Sequence, residues 1–178
     1  MSILKVARMG HPILRQKARM IDKQELKDAA MQKLIDDMFD TMREYAGVGL
    51  AAPQIHEPLR LFVAHLDQGG RGEGEPVAIV NPQITVVGDK TIEGWEGCLS
   101  IPDIRGMVPR AAHINVAAMD RHGKRLEFEI KDFAARVVQH ETDHLDGILF
   151  FDRMRTFDSL TFMEEFSRYH ARNDDDED

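Results

Sequence analysis

Two histidines four residues apart, His140 and His144, with Glu141 directly after the first, constrain this chain more than any other feature of its sequence. The H-E-x-x-H spacing carries meaning only on a helix. One turn then brings both imidazoles onto the same face, where they can grip a single cation from one side. Glu141 sits about 100° round the helix from His140. That is too far round for a natural third ligand but near enough to reach a water held on the metal. The flanking residues support a helix: Asp132 is placed to cap its start and Gly147 to stop it. Phe133, Val137, His140 and His144 fall on one stripe, and Ala134, Val138, Glu141 and Leu145 on the next. The histidines thus continue a core-facing stripe, and buried histidines need partners, of which a metal is one. The bland alternative is two surface histidines flanking a solvated glutamate.

With 178 residues and 43% hydrophobic content the chain can bury its own core. Residues 1–172 are expected to form a single catalytic domain. Residues 173–178, with the run Asp174 to Asp178, read as an acidic, self-repelling, disordered tail. The only cysteine, Cys98, rules out an intramolecular disulfide and points to a reducing, cytoplasmic setting. No apolar h-region marks the N-terminus as a secretory signal, and no uncharged apolar run approaches the length needed to cross a bilayer. A net charge of −8 argues against a general nucleic-acid binder and against attraction to anionic membranes.

The periodicity predicts α+β architecture with mainly antiparallel strands packed around the H-E-x-x-H helix. A long N-terminal helix is expected over residues 22–45, where Asp22 and Glu25 resemble a capping box. On it Met31, Met38 and Met42 serve as core filling. Strand-like runs follow at residues 61–66, 77–80 and 83–87, the first two separated by a glycine-rich loop over residues 67–74. Residues 113–119 and 125–130 read as a hairpin with its turn at 120–124. A C-terminal amphipathic helix is expected near residues 158–171, packed on the outside.

A catalytic metal needs a third protein ligand and one open position. Cys98, in Glu96-Gly97-Cys98-Leu99-Ser100, is a candidate, although a lone cysteine is more often a small buried hydrophobe. The stretch Gly47-Val48-Gly49-Leu50-Ala51-Ala52-Pro53-Gln54 suggests backbone exposed to a ligand, or a tight turn packed on a helix. Gln54 is the one side chain in it able to donate hydrogen bonds.

Three segments, Gly47-x-Gly-Leu-Ala-Ala-Pro-Gln54, Glu96-Gly-Cys-Leu-Ser100 and Gln139-His-Glu-x-Asp-His-Leu-x-Gly147, resemble in this order the signature motifs of peptide deformylases. Gly10-His-Pro-Ile-Leu-Arg15 is similar to that family's N-terminal stretch, so the likeness runs through nearly the whole chain. The resemblance implies removal of the formyl group from the N-formylmethionine of nascent polypeptides, with release of formate. It implies Cys98, His140 and His144 as ligands of one divalent metal, and Glu141 as general acid/base. Gln54 and the backbone N–H of Leu99 would stabilise the oxyanion. Val48, Gly49 and Gly97 would pair with the substrate backbone, and Arg105 would lie near its main chain. Fe(II) is the implied native ion, with zinc, nickel or cobalt able to replace it; coordination preference alone would suggest zinc.

Two competing readings remain open at this point. A general metallopeptidase would cut internal amide bonds, but many such enzymes complete the H-E-x-x-H site with His or Glu rather than Cys. A structural metal module would need a fourth protein ligand, for which His113, His122 and Asp143 are available. The resemblance also implies transient contact with the ribosome. The acidic tail, with Arg155, Arg168, His170 and Arg172 as the nearby basic groups, is poorly suited to stable binding of RNA.

Overall fold

A computed structural model of the chain describes residues 2–66 and 75–171. The 67–74 loop and the acidic tail read from composition lie outside the described residues. Helix α1 (Ala29–Glu44) is followed by strands β1 (Gly49–Ala51), β2 (Leu61–Ala64), β3 (Val77–Val86), β4 (Thr91–Cys98), β5 (Ile101–Ala111), β6 (His113–Met119) and β7 (Arg125–Lys131). Helix α2 (Asp132–Leu145) carries the histidines, and the short strand β8 (Thr161–Phe162) leads into helix α3 (Met163–Tyr169). All pairings between these strands are antiparallel, in a five-stranded sheet ordered β1-β2-β3-β6-β7 and a three-stranded sheet ordered β4-β5-β8.

The larger sheet is covered on both faces, which explains its most apolar strand. Along β2 every residue is buried. Phe62 and Ala64 join the core beneath α2 with Ile79, Ile114, Val116, Ala134, Val138 and Leu145. Leu61 and Val63 point the other way, into a core shared with Ile35, Met38 and Met42 of α1. The methionines of α1 are therefore core filling, as periodicity suggests. A third apolar cluster, with Leu14, Ile101, Val108, Leu149 and Phe150, seats the β4–β5 hairpin.

Several boundaries differ from the sequence reading. The N-terminal helix begins at Ala29 rather than near Asp22. The capping contacts around Asp22 do form: Glu25 Oε1 accepts the Asp22 N–H at 2.8 Å, and Asp22 Oδ1 accepts that of Gln24 at 2.8 Å. They close only a 3₁₀ turn over Glu25–Lys27, because Asp28 is extended (φ −72°, ψ 133°) and breaks the helical path. The runs at 77–80 and 83–87 are one strand, β3, interrupted by a register shift at Asn81 and Pro82. Asn81 takes up φ 52° there and clamps Ile21, accepting its N–H at 3.0 Å and donating to its carbonyl at 2.8 Å. Helix α2 starts at Asp132 itself, without a side-chain cap. The C-terminal helix is shortened to Met163–Tyr169, since Thr161 and Phe162 are drawn into pairing with β5.

Gly147 ends the helical segment with φ 73°, and a Cβ there would lie 2.7 Å from the backbone carbon and oxygen of Arg15. Gly88 has a similar φ of 75° but open space around it. Gly147→Ala is expected to lower unfolding free energy by about 2–3 kcal/mol and Gly88→Ala by about 1 kcal/mol, since only the first adds backbone overlap to the left-handed penalty. Urea unfolding of the two variants measures the difference.

Candidate active site

One face of α2 opens into a cavity of about 460 Å³ bounded by β1, β4 and β5. The stripe expected to face the core divides: Phe133, Val137 and His140 line the cavity, and His144 is buried at 1% exposure. The next stripe, with Ala134, Val138 and Leu145, enters the core beneath the larger sheet. Glu141 belongs to this second stripe by position, yet it reaches the cavity wall.

Cys98 ends β4 opposite the helix, and its Sγ lies 3.2 Å from His144 Nε2. One donor atom each from Cys98, His140 and His144 can be chosen so that all lie within 4.8 Å of one another. His140 Nδ1 sits 2.9 Å from Glu96 Oε2. An ionised carboxylate can only accept, so Nδ1 carries a proton and Nε2 is the ring nitrogen left to face a ligand; this carboxylate–imidazole pairing is the usual support of a metal-bound histidine. Burial disfavours the Cys98 thiolate, but the two imidazoles beside it outweigh that and hold the thiol well below its ordinary value. Burial penalises the charged His140, but hydrogen bonding to Cys98 and Glu96 raises its basicity well above normal. A thiolate and two imidazoles converging in this way suit a divalent cation, so the donor set fits a metal.

Glu141 completes the centre from the side. Burial pushes its carboxyl up to about 7, against the pull of His140 and His144. Its Oε2 is buried without a hydrogen-bond partner among the described residues. Gly49 makes room for it, because a Cβ at that position would overlap Glu141 Oε1 and lie 2.7 Å from its Cδ. Gln54 is 1% exposed and held on both sides of its amide. Its Oε1 accepts the Ala51 N–H at 2.8 Å, while its Nε2 donates to Ser100 Oγ at 3.2 Å and lies 3.5 Å from Cys98 Sγ. Val48, Gly49, Gly97, Leu99 and Arg105 all line the same cavity. All ten residues singled out from the sequence are therefore brought to one place.

Sequence reasoning missed the charges beneath the site. Glu96 accepts Arg110 Nε and Nη2, both at 2.9 Å, and Arg136 Nη1 at 2.8 Å, besides supporting His140. Arg110 also pairs with Asp143, which accepts Arg153 Nη2 at 2.7 Å. Among the described residues the group placed to hold a metal is Cys98, His140 and His144, and the candidate fourth ligands His113, His122 and Asp143 are not part of it. The signal for Glu96 was its place two residues before Cys98, but only a recognised β4 strand would have turned that into shared burial.

The family model for polypeptide deformylase matches residues 3–159. The chain belongs to the peptide deformylase family. Members are metal-dependent hydrolases that remove the formyl group from nascent peptides. The chain is 41% identical over 175 residues to peptide deformylase 2 of a Nostoc species, covering 96% of this chain and 97% of that one. Its fold is similar to that of a Met-Ala-Ser-bound class I type b peptide deformylase from Acinetobacter baumannii, with a TM-score of 0.81 and 39% identity over 86% of this chain and 99% of the other. The peptide deformylase of Thermotoga maritima is likewise similar, with a TM-score of 0.80 and 37% identity over 88% of this chain and all of that one.

Glu96→Ala is expected to weaken metal retention about 10- to 100-fold by releasing His140, and to destabilise the fold by about 3–5 kcal/mol by leaving Arg110 and Arg136 underpaired. Chelator competition and urea unfolding of the same sample read the two effects separately.

Proposed function

We infer that this chain hydrolyses the formamide at the N-terminus of N-formylmethionyl peptides, and that residues 1–172 form one catalytic domain for that reaction. The observation that carries the reading is the convergence of three separate family motifs on one cavity: Gln54 from the first, Cys98 from the second, and Glu141 with its histidines from the third. Cys98, His140 and His144 are the ligands we assign to the metal, which when bound supplies Lewis acidity toward water and the formyl carbonyl. We favour Fe(II) in the cell, and zinc, nickel or cobalt in protein purified in air, because a thiolate-ligated ferrous site is open to oxidation.

Glu141 is the proton carrier in this reading. Its carboxylate accepts a proton from the attacking water and returns it to the departing amine, a role suited to a group poised near neutrality. Negative charge builds on the formyl oxygen as water adds. Gln54 Nε2 and the backbone N–H of Leu99 are the donors we assign to it; both flank Cys98, and the Gln54 amide is already fixed by Ala51 and Ser100. Collapse of the adduct breaks the C–N bond and releases formate and the free amine.

Substrate binding follows from the sheet edges. Strand β1 is an edge of the five-stranded sheet and β4 an edge of the three-stranded one; they contribute to the cavity wall through Gly49 and Gly97, beside Val48 just before β1. A peptide entering between them can add as an extra strand, its backbone pairing giving affinity with little regard to sequence. That a relative is solved with Met-Ala-Ser bound supports this choice of substrate. We assign Arg105 to the substrate main chain on the same grounds.

Nascent chains arise at the ribosome, so we place the enzyme in the cytoplasm with transient ribosome contact. Among the described residues no helix is long and apolar enough to cross a membrane. On α3, Arg168 is paired with Glu164 and Glu165, each at 3.0 Å, which leaves that helix little free positive charge for RNA.

Assays with formyl-Met-Ala-Ser and with unformylated peptides test the reading. Formate release from the first alone is expected; cleavage of internal bonds without formate release would make the chain a general metallopeptidase. Glu141→Gln is expected to keep fold and metal content while losing nearly all formate release, and full activity in that variant would remove Glu141 from its role. Gln54→Ala is expected to lower kcat about 10²- to 10³-fold with metal retained, as for loss of one oxyanion donor.

A further inference from the structure

The C-terminal segment, which follows the 3–159 region matched by the family model, forms part of the cavity that holds the catalytic groups. Strand β8 docks on β5 with Phe162 opposite Ile104 and Thr161 opposite Arg105. That pairing starts α3 at the cavity wall, where Met163 is 38% exposed and lines the same space as Cys98 and His140. Arg105 is wedged in place by this segment. Its Nε lies 3.5 Å from Met163 Sδ, and its guanidinium carbon sits 5.8 Å from the centre of the Phe166 ring. The other flank of Arg105 covers Gly97, where a Cβ would come within 3.1 Å of Arg105 Cδ and Cζ. Phe166 also meets Trp95, a second cavity residue, edge to face at 5.0 Å.

Arg105 thus lies between Met163 and Gly97, the residue before Cys98. A group at that remove does not touch the reacting atoms. It offers an apolar, adaptable surface to whatever extends along the cavity beyond the formylated residue.

We propose that this segment is a substrate-selectivity element: Met163 is a specificity-determining residue for apolar side chains downstream of formyl-methionine, and Phe166 is a positioning residue that fixes Arg105 and Trp95. The proposal rests on the deformylase reading. It requires that binding of longer apolar substrates, rather than the chemical step, depend on residues 163 and 166.

The test compares formyl-Met-amide, formyl-Met-Ala-Ser and formyl-Met-Leu-Leu on the metal-loaded full chain. Met163→Ala is expected to raise KM for formyl-Met-Leu-Leu about 10-fold, the scale of a lost apolar contact in a pocket. Its kcat stays within about twofold, and formyl-Met-amide is affected least. Phe166→Ala and Phe166→Leu, which both remove the ring that meets Arg105 and Trp95, are expected to raise KM for both tripeptides, and Phe166→Tyr, which keeps it, to retain the wild-type KM. Tyr169→Ala, on the same helix and 68% exposed, serves as the control that leaves all three substrates as in the wild type. Should Phe166→Ala fail to fold, Met163→Ala and Phe166→Leu carry the test. An equal loss on all three substrates, a loss confined to kcat, or unchanged selectivity in Met163→Ala overturns the proposal. Wild-type protein that releases no formate from any of them overturns the deformylase reading itself, which separates the two failures.

Discussion

The site rests on a buried carboxylate. Glu96 reaches across from β4 to receive two arginines and one histidine, from β5 and from α2. None of the central partners is more than lightly exposed, so the charges lose most of their hydration and must recover it from one another. Arg136 adds hydrogen bonds to the carbonyls of Ile92 and Val108, each at 2.7 Å, bolting the helix to both strands of the hairpin. Asp143 extends the network to Arg110 and Arg153. Such a network is a weak source of net stability, because burying ions is expensive. Its value lies in register: slip of α2 against the hairpin would strand several charges at once. The same register sets Cys98 opposite His140 and His144.

Around that fixed centre the backbone does much of the remaining work. Two sheet edges border the cavity, and Gly49 and Gly97 stand where a side chain would collide with Glu141 and Arg105. In the binding mode proposed above, a peptide between the edges is read mainly through its main chain, which suits an enzyme whose substrates share a first residue and little else. Selectivity beyond that residue must come from side chains on the rim, which is where the C-terminal segment lies.

Much of the site was legible because its chemistry is local. His140, Glu141 and His144 need only helical spacing to be recognised, and Gln54 and Cys98 sit in short motifs with glycines beside them. The hairpin β6–β7 was legible for the same reason, since its alternation and turn are contiguous. The β4–β5 hairpin was not. Gly94, Gly97, Pro102 and Pro109 weaken its strand propensity, and only pairing along its length with burial of Val108, Ile101 and Arg110 makes it a hairpin. Without it, Glu96 and Arg110 look like ordinary surface charges. The long helix starts later than the sequence suggests because the Asp22–Glu25 contacts are real but satisfied by a 3₁₀ turn.

By itself the sequence determined the reactive groups: a thiol, two imidazoles, a carboxyl and an amide, each in a segment whose spacing or glycines implied a site. Family membership followed from the order of those segments. Tertiary structure decided what the groups are to one another. It brought Cys98 to within 3.2 Å of a histidine 46 residues away, raised the Glu141 carboxyl by burial, and set the tautomer of His140 through Glu96. It also carried Met163, from beyond the 3–159 region matched by the family model, into the cavity wall. The physical reason is the same in each case. Proximity, desolvation and pairing are properties of packed neighbours, and neighbours distant in sequence leave no periodicity to read.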